Sequence, residues 1–357
     1  MRKNNILYAL CALICLCASC QEEIIEYNLK GVRVENDSVY EGFSPMLLYN
    51  NLLISEVFSR KVLCVVNELN NGQLKGTKEL LNIGNGRNEF HNVVLASGSD
   101  SSLYVLDHIT TGNKLLSLTK IKEAFEIDSL DITNKWKKFS LMDTQPFRCV
   151  FNTFVWLSDS TFLVSGAPYN EIGHLMSIVN YKSQTVTPLN YWPTDNVSCD
   201  SLAKHSIYTD NCQIYGNNNK RFLYVCGEER FAFIFSINNS TIEIEKKLYD
   251  TLPDYKGAGN GNYIINARSG KSLLADVNNN NIYAFLVDWK SQGNYLTRSG
   301  NIVEVYDWNG NLERRLILDR RGYYIKVSKN NDILYLFTSN PVTEKREIWM
   351  YNLKIAD

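Results

Sequence analysis

Residues 330–336, Asn-Asn-Asp-Ile-Leu-Tyr-Leu, form the unit this chain repeats: turn-forming polar residues, then a short apolar run of strand-forming residues. Five other places match it. Asn50-Asn51 precedes Leu52-Leu53-Ile54, Ser101-Ser102 precedes Leu103-Tyr104-Val105-Leu106, and Asp159-Ser160-Thr161 precedes Phe162-Leu163-Val164. Asn219-Lys220-Arg221 precedes Phe222-Leu223-Tyr224-Val225, and Asn279-Asn280-Asn281 precedes Ile282-Tyr283-Ala284-Phe285. The runs start at 52, 103, 162, 222, 282 and 333, so successive starts differ by 51, 59, 60, 60 and 51 residues. A period of this length with strand texture points to propeller blades.

The chain has 357 residues, of which 45% are hydrophobic and 21% charged, so it can bury a large core and is not a disordered chain. Its 21 tyrosines suit strands. The formal net charge is −1, so no basic excess exists to neutralise a phosphate backbone, and a nucleic-acid partner is disfavoured.

The first 19 residues read as a targeting segment rather than as fold. Arg2 and Lys3 are followed by 13 uninterrupted apolar residues, 6–18, too few to span a bilayer comfortably and suited to a signal-peptide core. The run ends in Leu16-Cys17-Ala18-Ser19-Cys20, which resembles a bacterial lipobox with Cys17 in place of the usual aliphatic residue. That resemblance implies cleavage before Cys20, acylation of Cys20 and anchoring of the protein to a membrane through its lipid. Gln21 stands where an inner-membrane retention signal carries Asp, and Glu22-Glu23 resemble acidic tags of surface-exposed lipoproteins. The expected address is the outer membrane, on its periplasmic or surface-exposed face. Three parts follow: a lipoprotein signal peptide at 1–19, a tether at 20–31 and a propeller at 32–357.

Within the repeats, strands are expected before and after each marked run. Residues 122–125 suggest a helical turn, 193–204 a loop, 206–215 a strand, 257–261 a glycine-rich loop, and Asp307-Trp308-Asn309-Gly310 a hairpin. The sixth repeat stops one strand short, while residues 32–35 alternate as a strand with no partner. Pairing 32–35 with 348–351 would close the ring and remove an exposed edge. The fold class read from the residues is therefore all-β, a six-bladed β-propeller closed by its N-terminal strand.

Ile282-Tyr283-Ala284-Phe285, Val303-Glu304-Val305-Tyr306-Asp307-Trp308-Asn309-Gly310 and Leu318-Asp319 resemble the TolB-like six-bladed β-propeller family of Gram-negative lipoproteins. Gly84-Asn85-Gly86-Arg87-Asn88-Glu89-Phe90 resembles the Gly-x-Gly-x-x-Glu-Phe connection common in six-bladed propellers, with Phe90 placed to plug a junction between units. No strand-to-helix context or following Lys-Ser/Thr supports a phosphate loop there. The resemblance implies a fold and an envelope location, and brings no activity with it.

Motifs that carry chemistry are few. His91, His108, His174 and His205 show no zinc spacing, and Gly-x-Ser-x-Gly is absent. Residues 278–281 offer either carbonyl ligands for calcium or a plain β-turn, and the repeat register favours the turn. Asn50, Asp100, Asp159, Asn219, Asn281 and Asp332 recur in the turns at one end of the ring, where channel-facing carboxylates and amides could converge on an ion. Cys64 and Cys226 lie in apolar runs and read as small hydrophobes, while Cys199 and Cys212 are candidates for a disulfide in an oxidising compartment. The triplets beginning at Asp37, Asp128, Asp200 and Asp250 resemble an O-glycosylation signal of some Gram-negative envelope proteins, with Ser38, Ser129, Ser201 and Thr251 as acceptors. Turn chemistry explains the same triplets.

The function expected is binding or scaffolding of a protein or glycan partner through one propeller face, without catalysis, cofactor or metal. The alternative is a hydrolase or lyase assisted by a calcium-like metal in the channel. The channel lining discriminates the two. Convergent carboxylates or amides favour the enzyme, and an aromatic, uncharged lining favours binding.

Overall fold

The computed structural model describes residues 24–354, apart from 37–39, 41, 43, 58–60, 71, 85–88, 92, 98–102, 110–111, 119–136, 141–152, 159, 169–170, 172, 219, 293–294, 330–331 and 341. The fold is an all-β propeller. The described strands form six sheets of four or five strands and one two-stranded sheet. Each of the six sheets starts with an innermost strand: Ser44–Tyr49, Val93–Ser97, Phe154–Ser158, Cys212–Gly216, Ser269–Val277 and Tyr324–Val327. Each innermost strand contacts the next, and the sixth contacts the first.

The marked runs are the second strands of these sheets, and their composition follows from their position. A strand sends successive side chains to opposite faces, so a strand buried on both faces reads as an unbroken apolar run. Phe222, Tyr224 and Cys226 enter one core, together with Phe231, Phe233 and Phe235 of the neighbouring strand. The intervening Leu223, Val225, Ala232 and Ile234 enter the next core with Ile282 and Ala284 of the fifth sheet. Tyr283, Phe285 and Val287 then pack with Leu334 and Leu336 of the sixth. Tyr335 and Phe337 pack with Leu53 of the first. Phe90 is buried among Leu52, Ile54, Leu103 and Val105, between the first and second sheets, where its motif placed it.

The N-terminal segment laces three sheets. Val32–Arg33 pairs antiparallel with Arg346–Asn352, Val32 opposite Met350 and Arg33 opposite Trp349, as the outer strand of the sixth sheet. Glu35–Asn36 runs parallel to Gln73–Asn82 on the first sheet. Ile25–Leu29 corrects the expectation of a tether: it is a fifth strand, parallel to Leu312–Gly322 on the edge of the fifth sheet. Tyr27 and Leu29 supply the reason, since both turn into the core between the fifth and sixth sheets.

Two further expectations change. Ser201–Thr209 is an α-helix rather than loop followed by strand. Asp200 caps it by accepting a hydrogen bond from the Ala203 N–H at 2.8 Å, and Ala203, Ile207 and Tyr208 make its buried face. The glycine-rich loop is a hairpin, Tyr255–Gly259 with Asn262–Ile265. Gly259 and Gly261 hold positive φ at its turn, as the tight reversal requires. The expected helical turn at 122–125 lies outside the described residues.

Candidate functional site

The six innermost strands surround a cavity of about 1050 Å³. Most of its wall follows from the fold, because each strand shows the cavity its edge and alternate side chains. Leu47, Val94, Val155, Trp156, Tyr215 and Tyr324 bring aliphatic and aromatic surface. The polar groups concentrate where inner strands end, in the turns that lead to the marked runs. Asn217, Asn218 and Lys220 come from the fourth sheet, Asn278 and Asn279 from the fifth, and Lys329 from the sixth.

Several contacts fix this wall. Trp156 stacks on Tyr104, with ring centroids 4.0 Å apart and planes 14° from parallel. The Tyr215 hydroxyl donates to the Ala275 carbonyl at 2.5 Å, and the Ala275 N–H donates to Gln213 Oε1 at 2.9 Å, joining the fourth and fifth sheets. The Lys329 ammonium sits 4.0 Å from the centre of the Tyr49 ring. Asn278 Oδ1 accepts from the N–H groups of Asn280 and Asn281 at 3.0 and 2.8 Å, an Asx turn rather than a ligand set.

Asp276 is the acidic residue in the lining. It is buried, its Oδ2 accepts the Val327 N–H at 2.7 Å, and its Oδ1 lies 3.5 Å from Lys326 Nζ. Burial pushes its carboxyl above the ordinary value, and Lys326 and the Val327 N–H offset part of that rise. Two of its neighbours on the ring are thus already its partners.

The turn residues expected to converge do not do so among those described. Asn50 is an exposed turn residue with φ 53°. Asn281 is buried and donates to Glu313 Oε2 at 2.7 Å, while Asp332 pairs with Lys354 at 3.1 Å. Asp100, Asp159 and Asn219 lie outside the described residues. No group of three His, Cys, Asp or Glu side chains placed to hold a metal occurs among the described residues.

Cys20, Ser38 and Ser129 also lie outside the described residues. Ser201 is the exposed first residue of the helix that Asp200 caps. Thr251 is exposed and follows the strand Thr241–Asp250, and Asp250 pairs with Lys247 at 2.8 Å. Both described triplets therefore do local structural work. Cys199 and Cys212 are free thiols, as are Cys64 and Cys226, which corrects the proposed disulfide. Cys212 packs inside the core on an innermost strand, whereas Cys199 lies against Gly257 of the hairpin.

At the other end of the inner strands, the connections 191–204 and 255–262, the long loops on which recognition of a partner was expected, form one packed unit. Asp195 accepts hydrogen bonds from Tyr208 at 2.8 Å and Tyr255 at 3.0 Å and pairs with Lys204 at 2.6 Å. Burial would raise its carboxyl, but those hydrogen bonds and the Lys204 charge outweigh it, and the net displacement is downward. His205 stacks beside Trp192, and burial lowers its imidazole to about 4, so it stays neutral near pH 7.

The lysines of the cavity, Lys220, Lys326 and Lys329, were not singled out from the sequence. Lys220 is the middle residue of a marked turn, and Lys329 immediately precedes another. A cation recurring in equivalent turns was the available signal.

A family model described as TolB-like 6-blade propeller-like matches residues 71–330. No curated protein shows a significant sequence match. The chain is similar in structure to a member of the DUF4221 family from Bacteroides vulgatus, at 10% identity and TM-score 0.57, covering 92% of this chain and 97% of the other. It is also similar to a gluconolactonase from Xanthomonas campestris, at 10% identity and TM-score 0.44, over 90% and 89% of the two chains. An oligogalacturonate lyase in complex with manganese matches at 10% identity and TM-score 0.41, over 88% of this chain and 76% of the lyase. The first likeness speaks to fold, and the other two carry no chemistry over to this chain.

Proposed function

Because the chain belongs to the TolB-like 6-blade propeller-like family, we propose that its six sheets are the blades of one ring closed by the N-terminal strand, and that this ring is a binding platform on a lipid anchor in the bacterial envelope. The partner is a protein or glycan, and no turnover is expected. The closed cycle of contacts between innermost strands supports the ring. The pairing of Val32 with Met350 supports its closure. The lipobox resemblance at Cys20 supports the anchor and the outer-membrane address.

The lining is not the uncharged one expected of a binding site, and its amides alone would suit the enzyme alternative; the observation that carries the binding reading is that three lysines accompany a single carboxylate that is already partnered. A divalent cation prefers several anionic oxygens, and an excess of ammonium groups repels it. The lining therefore favours binding over a metal-assisted hydrolase or lyase.

The test is affinity capture from detergent-solubilised envelope with the full chain. A stable protein or glycan should be recovered, and lost when either 191–204 or 255–262 is shortened. Incubation with lactone, ester and uronate substrates plus calcium should give no turnover above a heat-killed control. Metal-dependent turnover abolished by Asp276→Asn would establish the hydrolase or lyase instead.

A further inference from the structure

The cavity is electrically unbalanced. Its lining holds three lysines and one aspartate, a balance of +2, in a chain whose overall balance is −1. The three ammonium groups are not scattered along the channel. Lys220 stands in the turn after the innermost strand of the fourth sheet, and Lys329 in the equivalent turn of the sixth. Lys326 lies three residues before Lys329, on the innermost strand itself. Equivalent turns of a repeat fall at the same end of the ring, so the charge gathers at one mouth. Asp276 offsets one of these charges, since one of its oxygens accepts the Val327 N–H and the other faces Lys326, and this leaves Lys220 and Lys329 as the excess. A concave site lined by one sign of charge between low-dielectric walls focuses its field on an incoming anion.

The remaining groups at this mouth narrow the class of anion. Asn218 and Asn279 are exposed in the same turns and offer paired donors and acceptors. Trp156, on the innermost strand of the third sheet, is part of the lining, and Tyr104 holds its indole in place. Ammonium groups recognise carboxylate or sulfate, amides recognise hydroxyls, and a fixed aromatic ring covers the apolar face of a sugar ring. We infer that the mouth formed by the third to sixth sheets binds an acidic saccharide, carboxylated or sulfated, an inference that rests on the binding reading above.

Calorimetric titration of the full chain in detergent tests it, with tetragalacturonate and a sulfated chondroitin tetrasaccharide as probes. Methyl-esterified tetragalacturonate and a desulfated, carboxyl-reduced chondroitin tetrasaccharide serve as neutral counterparts. At least one acidic probe should bind about tenfold or more tightly than its counterpart, and the difference should shrink at about 0.5 M salt, where screening is strong. The double variant Lys220→Met/Lys329→Met should lose about tenfold in affinity with only the small fall in melting temperature that loss of the Lys329–Tyr49 contact brings, and Lys220→Arg/Lys329→Arg should retain binding. Absence of binding by both acidic probes, equal binding of acidic and neutral forms, or undiminished binding by the methionine variant would overturn the inference. A protein partner recovered in the affinity capture while both acidic probes fail would overturn this inference and leave the binding reading standing. Failure of the capture alongside selective binding of an acidic probe would show the reverse, that a free saccharide is the ligand and the stable envelope partner is not.

Discussion

Glu304 shows how this chain keeps a carboxylate between two sheets. Tyr249 donates to its Oε2, Tyr306 does so at 2.8 Å, and Arg315 reaches its Oε1 through Nε at 3.1 Å and Nη2 at 2.7 Å. Burial alone would raise the Glu304 carboxyl, but these hydrogen bonds and the Arg315 charge hold it below the ordinary value. A carboxylate lowered in this way contributes stability above its unfolded pKa, about 4.3, and that contribution is lost as pH falls through the lower folded value. Replacing Arg315 by Met removes two charge-assisted bonds to Glu304 and an exposed one to Glu26, and should cost about 2–3 kcal/mol at neutral pH. The gap to the parent protein should narrow once the medium falls below about pH 4, because Glu304 then protonates in the variant before it does so in the parent. Urea unfolding at neutral pH and at about pH 3 measures both effects. A gap that stays constant across that range would assign the loss to packing alone.

The helix Ser201–Thr209 and the N-terminal strands are the elements whose roles most depend on their neighbours. Asp200→Ala should cost about 1 kcal/mol, because it leaves an N–H of the first turn without its acceptor, and Asp200→Asn should cost much less. Thermal melting of the two variants decides this, and equal losses would mean that the charge rather than the cap matters. Deleting 25–36 strips strands from three sheets and uncovers Tyr335, Phe337 and Ile348, which Val34 now covers. The deletion should lower the melting temperature and speed proteolysis throughout the molecule, since freed edges open both neighbours. If only the sixth sheet became sensitive to protease, the strands would be local trim rather than closure.

For the whole molecule, the proposed lipid anchor at Cys20 is open to direct measurement. Cys20→Ala should move the protein from the membrane fraction to the soluble one, and mass spectrometry of the native protein should find a diacyl or triacyl Cys at the start. Unchanged membrane association would refute the lipid anchor. If the anchor holds, the body of the protein begins close to it. Residues 21–24 separate Cys20 from Ile25–Leu29, about 14 Å of extended chain, so the edge of the fifth sheet would lie near the bilayer.

Much of the architecture was legible along the chain because it rests on local rules. Strands buried on both faces must be apolar at nearly every position, so Phe222–Cys226 and residues 333–337 stood out as runs with turn residues before them. The pairing partner of Val32 was readable because one strand short and one strand spare leave few solutions, and Phe90 was readable from the resemblance of its glycine-rich connection to those of six-bladed propellers. The helix at Ser201–Thr209 was not readable as such: its weakly amphipathic face becomes apolar only against Tyr255 and the hairpin beyond it, which are distant in sequence. Nor were the cavity residues. Beyond a lysine recurring in the turns at 220 and 329, Lys326, Asp276 and Trp156 come from different repeats and carry no spacing signal, and each looks like an ordinary strand residue in its own segment. Local propensity and pattern decide which strands form, whereas the arrangement of the innermost strands around one axis decides which side chains share the cavity, because it brings together positions more than fifty residues apart.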